Sequence, residues 1–138
     1  MSKTKFVNIA CGNVYIKNSN WINLDIVSEN KYVKKANLLK KLPFSDNCVD
    51  AIYCSHFLEH IPLSKVPNFL EECFRILKKG GVLRLVLPDF EALSAEYLKQ
   101  IKLKNYVKTK IVLLTIIDQC VRKKPGGMLD DFYKDLLN

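Results

Sequence analysis

Residues 50 to 87 read DAIYCSHFLEHIPLSKVPNFLEECFRILKKGGVLRLVL, and this stretch decides the fold. Both ends are short apolar runs bounded by turn residues, the pattern of strands buried on both faces, which predicts strands over Asp50 to Ser55 and Val82 to Leu87. Between them Val66, Leu70, Cys73, Phe74 and Leu77 keep helical spacing. Ser64 is suited to cap that helix, Pro67 falls in its first turn, and Gly80-Gly81 stop it after Lys78-Lys79. Strand, helix and strand joined this way form a βαβ unit, whose right-handed crossover implies a parallel sheet. The expected class is therefore α/β, a doubly wound and mostly parallel sheet.

The pattern extends toward the N-terminus. Lys5 to Cys11, Trp21 to Ile26 and, more weakly, Val33 to Leu38 read as three further strands. Ligands of such sheets bind at the carboxyl ends of the strands, which gathers Ala10 to Asn13, Asp25, Asn37, Ser55-His56 and Pro88-Asp89 along one edge. In VNIACGN, residues 7 to 13, a strand stops at Gly12, a residue that lets a backbone turn tightly or approach a ligand closely. The dinucleotide fingerprint G-x-G-x-x-G is absent, since its positions are held by Ala10, Gly12 and Tyr15. Too few residues separate Asn13 from Trp21 for a long helix whose N-terminus would face a pyrophosphate, so a ligand without phosphates fits better. An acid at the end of the second strand, here Asp25, can accept hydrogen bonds from both ribose hydroxyls.

Four stretches, VNIACGN, WINLDI, LPFSDNCVDAIYCSHFLEHI and RILKKGGVLRLVLPD, together resemble the class I S-adenosylmethionine-dependent methyltransferases, particularly the small bacterial type 11-like family. They stand in family order over roughly residues 5 to 90. The resemblance implies a Rossmann-like methyltransferase fold and S-adenosylmethionine as cofactor. Ala10, Cys11 and Gly12 match the motif whose backbone packs against the methionine part, with Asn8 where many relatives have an acid. Asp25 matches the ribose-binding residue, and Asn37 stands where an Asp usually lies near the adenine. Ser55 and His56 match the end of the fourth strand, beside the sulfonium and the acceptor.

A methyl group on a sulfonium is already activated, so transfer needs mainly an in-line approach in a dry pocket. A base helps when the acceptor is a hydroxyl. His56 is the candidate, because imidazole exchanges protons near neutral pH; the alternative is a hydrogen-bonded wall residue. Glu59 and His60 are read as packing or capping groups, and Asp89 either touches the acceptor or caps the following helix.

The chain has 138 residues, half of them apolar, which suits one domain with its own core: a cofactor-binding sheet over 1–89 and a helical, basic part over 90–138. After Asp89 helices are expected over Phe90 to Lys102, Val107 to Val121 and Met128 to Leu137, in place of the sixth and seventh strands that relatives carry. No apolar run reaches the roughly 20 residues of a membrane span and no signal peptide is evident, so the cytoplasm is expected. Five cysteines without a C-x-x-C pair suggest neither a disulfide framework nor a metal site. The net charge of +8 is concentrated between Tyr97 and Lys124, where eight basic residues face the single acid Asp118. That tail permits nucleic acid or an anionic membrane surface as partner, while its apolar run Ile111 to Ile117 favours a homodimer face. The expected activity is methyl transfer to a small-molecule or glycan-linked acceptor. A non-catalytic binding module and, behind it, a nucleic-acid methyltransferase are the alternatives, the last lacking a pocket for a flipped base.

Overall fold

The computed structural model describes residues 4–28 and 30–121. Five strands form one sheet: β1 (Phe6–Ile9), β2 (Trp21–Asp25), β3 (Val33–Lys35), β4 (Val49–Ser55) and β5 (Leu77–Val86). Their order is β3-β2-β1-β4-β5, and every neighbouring pair is parallel. The expected parallel α/β sheet is thus borne out. Central β1 buries Val7, Asn8 and Ile9 in succession, as a strand covered on both faces must.

The helix α1 (Val66–Ile76) joins β4 to β5. It buries Phe69, Cys73 and Ile76, spaced i, i+4 and i+7, against Val7, Ile9, Leu24, Ile52 and Cys54 of the sheet core. The apolar stripe is therefore rotated from the expected one, and Phe74 is 81% exposed. Ser64 does not cap α1: it lies in a single 3-10 turn, Leu63–Lys65, and the N-cap residue is Lys65, whose side chain makes no capping bond. Pro67 does occupy the first turn, where its missing N–H costs nothing.

Gly80-Gly81 do not end the helix either. The chain becomes extended at Leu77, and Lys78 to Gly81 form an irregularity inside β5, between the pairings Val49–Leu77 and Ala51–Val82. Gly80 adopts φ +80° there, and a Cβ on Gly81 would lie 2.9 Å from the Lys78 carbonyl and 3.1 Å from that of Asp50. A glycine pair satisfies a helix stop and a bulge equally well, and only the strand register separates the two.

The chain divides into two compact units at Leu87/Pro88. In the second, α2 (Phe90–Lys102) and α3 (Tyr106–Val121) pack against each other, close to the bounds expected. Asp89 caps α2, its Oδ1 accepting from Ala92 N–H at 2.9 Å. Among the described residues no strand follows β5. In the run Ile111 to Ile117, Val112 is buried whereas Ile111, Leu113 and Ile117 are exposed. The helix expected over Met128 to Leu137, the basic triplet Arg122 to Lys124 and Glu29 lie outside the described residues. No helix among the described residues is long and apolar enough to cross a membrane.

Candidate active site

The strand order reverses direction between β1 and β4, and the carboxyl ends of those neighbours make the crevice in which such sheets bind ligands. Ile9 is in register with both Leu24 and Cys54. Ala10, Asp25 and Ser55, each one residue further on, therefore stand in a row across three strands. Two non-glycine residues at this edge hold left-handed backbones, Ala10 at φ +55° and His56 at φ +52°, and Gly12 has φ +51°. Such conformations cost of order 1–3 kcal/mol and gather at ligand sites.

Asp25 organises the edge. Its residue surface is 5% exposed, Oδ2 accepts from Gly12 N–H at 2.8 Å, and Oδ1 accepts from Val27 N–H at 3.2 Å. A carboxylate has about four lone-pair directions, so these two bonds do not exhaust it. The glycine turn and the acid, separate signals in the sequence, are one hydrogen-bonded unit. Cys11 N–H bonds the Leu24 carbonyl at 3.2 Å, tying the same turn to β2. Burial, with the Asp25 charge adding to it, pushes the Cys11 thiol up to about 11, so it stays protonated at neutral pH.

Asn8 lies deeper in the sheet, opposite Asn23, and its Nδ2 donates to the Val14 carbonyl at 3.1 Å and to Asn23 Oδ1 at 3.2 Å. Asn23, which sequence reasoning did not single out, uses all four of its side-chain bonds: Oδ1 also accepts from Ile16 N–H, and Nδ2 donates to the carbonyls of Ile16 and Tyr32. The two asparagines thus hold the helix-free connection after Gly12. The asparagine of WINLDI was the available signal, a polar residue inside an otherwise apolar strand. Asn37, two residues beyond β3, is exposed, and its Oδ1 accepts from Leu39 N–H at 3.0 Å in an Asx turn.

On β4, Ser55 pairs with Val86, and His56 N–H bonds the Val86 carbonyl at 2.9 Å. His56 is 40% exposed, and its Nδ1 lies 3.3 Å from Glu59 Oε1. Glu59 and His60 cap nothing: they sit in the 3-10 turn Leu58–His60, with Phe57 at its N-cap and Phe57 packed edge-on against Phe69 at 5.3 Å. That anchor turns Glu59 inward beside His56. Two surface hollows, one against α1 at Glu72 and Arg75 and one around Lys17 and Tyr32, contain none of these strand-end residues.

A family model described as "Methyltransferase domain" matches residues 9–85, more than half of the chain. The chain belongs to this methyltransferase domain family. The matched segment runs from the end of β1 almost to the end of β5 and so contains the whole row of strand ends. This methyltransferase domain is also similar to "Probable methyltransferase ltbC" of Aspergillus luteorubrus, at 37% identity over 51 residues, 36% of this chain and 18% of that protein. The match thus spans less than a fifth of the relative's length. The parallel sheet with this strand order agrees with the Rossmann-like fold of the family.

Proposed function

We propose that this domain binds S-adenosylmethionine at the carboxyl ends of β1 and β2 and transfers its methyl group to a small-molecule or carbohydrate-linked acceptor. The observation that carries the reading is the hydrogen bond from Gly12 N–H to the buried Asp25 carboxylate. It closes the turn against the acid and leaves lone pairs suited to a ribose diol, while the strand-end turn offers no glycine-rich cradle for phosphate. The donor set therefore fits the cofactor, which when bound supplies an activated methyl group on a sulfonium. The backbone of Ala10, Cys11 and Gly12 flanks its methionine part, and Asp25 takes the ribose hydroxyls. The Asn37 side chain, already accepting one bond, keeps a second lone pair for the adenine amino group. Ser55 and His56 border the acceptor, with His56 as the group that takes a proton.

Calorimetry with S-adenosylmethionine and with S-adenosylhomocysteine tests the reading. The wild type is expected to bind both, and Asp25→Ala to weaken binding by roughly 1–3 kcal/mol through lost charge-assisted bonds. A folded wild-type protein that gives no heat with millimolar cofactor overturns it.

A further inference from the structure

Glu59 is a buried carboxylate that caps nothing. Its side chain is 11% exposed, and neither oxygen has a well-formed hydrogen bond. A carboxylate in that position is costly unless opposite charge or a donor is at hand. Among the described residues what flanks it is a pair of imidazoles, His56 Nδ1 at 3.3 Å and His60 Nε2 at 3.8 Å from the same Oε1. Behind it lies the Cys54 thiol, which burial first, and then the neighbouring Cys73 and Glu59, push up to about 12. Cys73 is likewise held at about 12, chiefly by burial, so both thiols remain neutral and neither supplies charge.

The two imidazoles differ in access. His60 is 17% exposed and its Nε2 is shut from solvent, whereas His56 is 40% exposed at the end of β4. Only His56 can meet an acceptor. Its backbone is pinned by the bond to Val86 and by a left-handed φ, so the remaining freedom is the ring itself. A carboxylate 3.3 Å from one ring nitrogen favours the proton on that nitrogen and leaves the lone pair on the other.

We propose that Glu59 is a positioning residue that holds His56 with Nδ1–H turned inward and the Nε2 lone pair turned outward as the proton acceptor of the transfer. The inference rests on the role given to His56 under the proposed function. For a hydroxyl acceptor the oxygen–methyl bond forms as the carbon–sulfur bond breaks, with that electron pair staying on sulfur. The hydroxyl proton passes to Nε2, and the imidazolium so formed faces the Glu59 carboxylate until the proton leaves to solvent.

The test reads the His56 ring by nitrogen-15 shifts in histidine-labelled protein above pH 8. The wild type is expected in the Nδ1–H tautomer. Glu59→Met, which keeps the length of the side chain in a buried place, should return the ring to the Nε2–H form that free imidazole favours. Carbethoxylation of His56 by diethyl pyrocarbonate, followed by mass spectrometry, should slow at least threefold in the same variant, while S-adenosylmethionine affinity stays within twofold. A wild-type ring in the Nε2–H form overturns the proposal whether or not the variant folds, and so does an unchanged tautomer in a folded Glu59→Met protein. If the wild type shows the Nδ1–H form yet binds no cofactor, the Glu59–His56 pairing stands and the proposed function falls.

Discussion

Replacing Asn23 should uncouple the connection after Gly12 from the sheet. Asn23 is 2% exposed and makes four side-chain bonds, to Ile16 N–H, the Ile16 carbonyl, the Tyr32 carbonyl and Asn8 Nδ2, at 3.0 to 3.2 Å. At about 1 kcal/mol net for each neutral bond, Asn23→Ala should lose about 4 kcal/mol, a large part of the 5–15 kcal/mol that stabilises an ordinary domain. Asn23→Asp separates donor from acceptor roles. Its carboxylate keeps the two accepted bonds but sets an oxygen against the carbonyls of Ile16 and Tyr32, so the deficit at pH 8 should match or exceed that of alanine. Burial raises the folded-state pKa of the new acid above its unfolded value. Its penalty is therefore full above the folded pKa and is relieved as pH falls toward the unfolded value, when the protonated acid can donate one bond. Urea denaturation followed through the single tryptophan, Trp21, which contacts Phe6 at 5.2 Å, measures both variants. A loss below about 1 kcal/mol for Asn23→Ala, or an Asn23→Asp deficit as large at pH 5 as at pH 8, would refute the reasoning.

Two further outcomes rest on the same sheet. Gly81→Ala should be worse than Gly80→Ala in denaturant titrations, by about 1–3 kcal/mol, because its Cβ meets two backbone carbonyls of β5 and β4, while a Cβ on Gly80 meets open space and bears only the cost of a positive φ. Arg75 binds Glu72, Asp46 and the carbonyls of Leu42 and Phe44, so Arg75→Met should cost about 2–4 kcal/mol by loosening the β3–β4 connection from α1. The hydrogen bond from Arg75 is also the main cause holding the Glu72 carboxyl below its ordinary range; that stability is present above the unfolded value and lost as pH falls through the lowered one, so the acid limb of the stability profile should flatten in Arg75→Met.

The parallel sheet was legible because it rests on local patterns. Short apolar runs at β1, β2, β4 and β5 and the helical spacing before Gly80-Gly81 leave few topologies open, and the bounds of α2 follow from Asp89 as its cap. Asp25 and Gly12 stood out as strand-end residues for the same reason. The phase of α1 was another matter. Val66, Leu70, Cys73, Phe74 and Leu77 and the observed Phe69, Cys73 and Ile76 are all apolar, and a helix with apolar residues on more than one side turns whichever face the sheet can accommodate. The glycine pair was ambiguous until the pairing of Val49 with Leu77 placed it inside β5.

What sequence alone determined here is the set of elements, because strand and helix periods are written into consecutive residues. What only the tertiary structure decided is which polar groups share a bond. Asp25 reaches Gly12, and Asn23 reaches Ile16 and Tyr32, because strand register brings those atoms within about 3 Å. A hydrogen bond demands position to a few tenths of an ångström, and that accuracy comes from the packed sheet and helix, not from the spacing of residues along the chain.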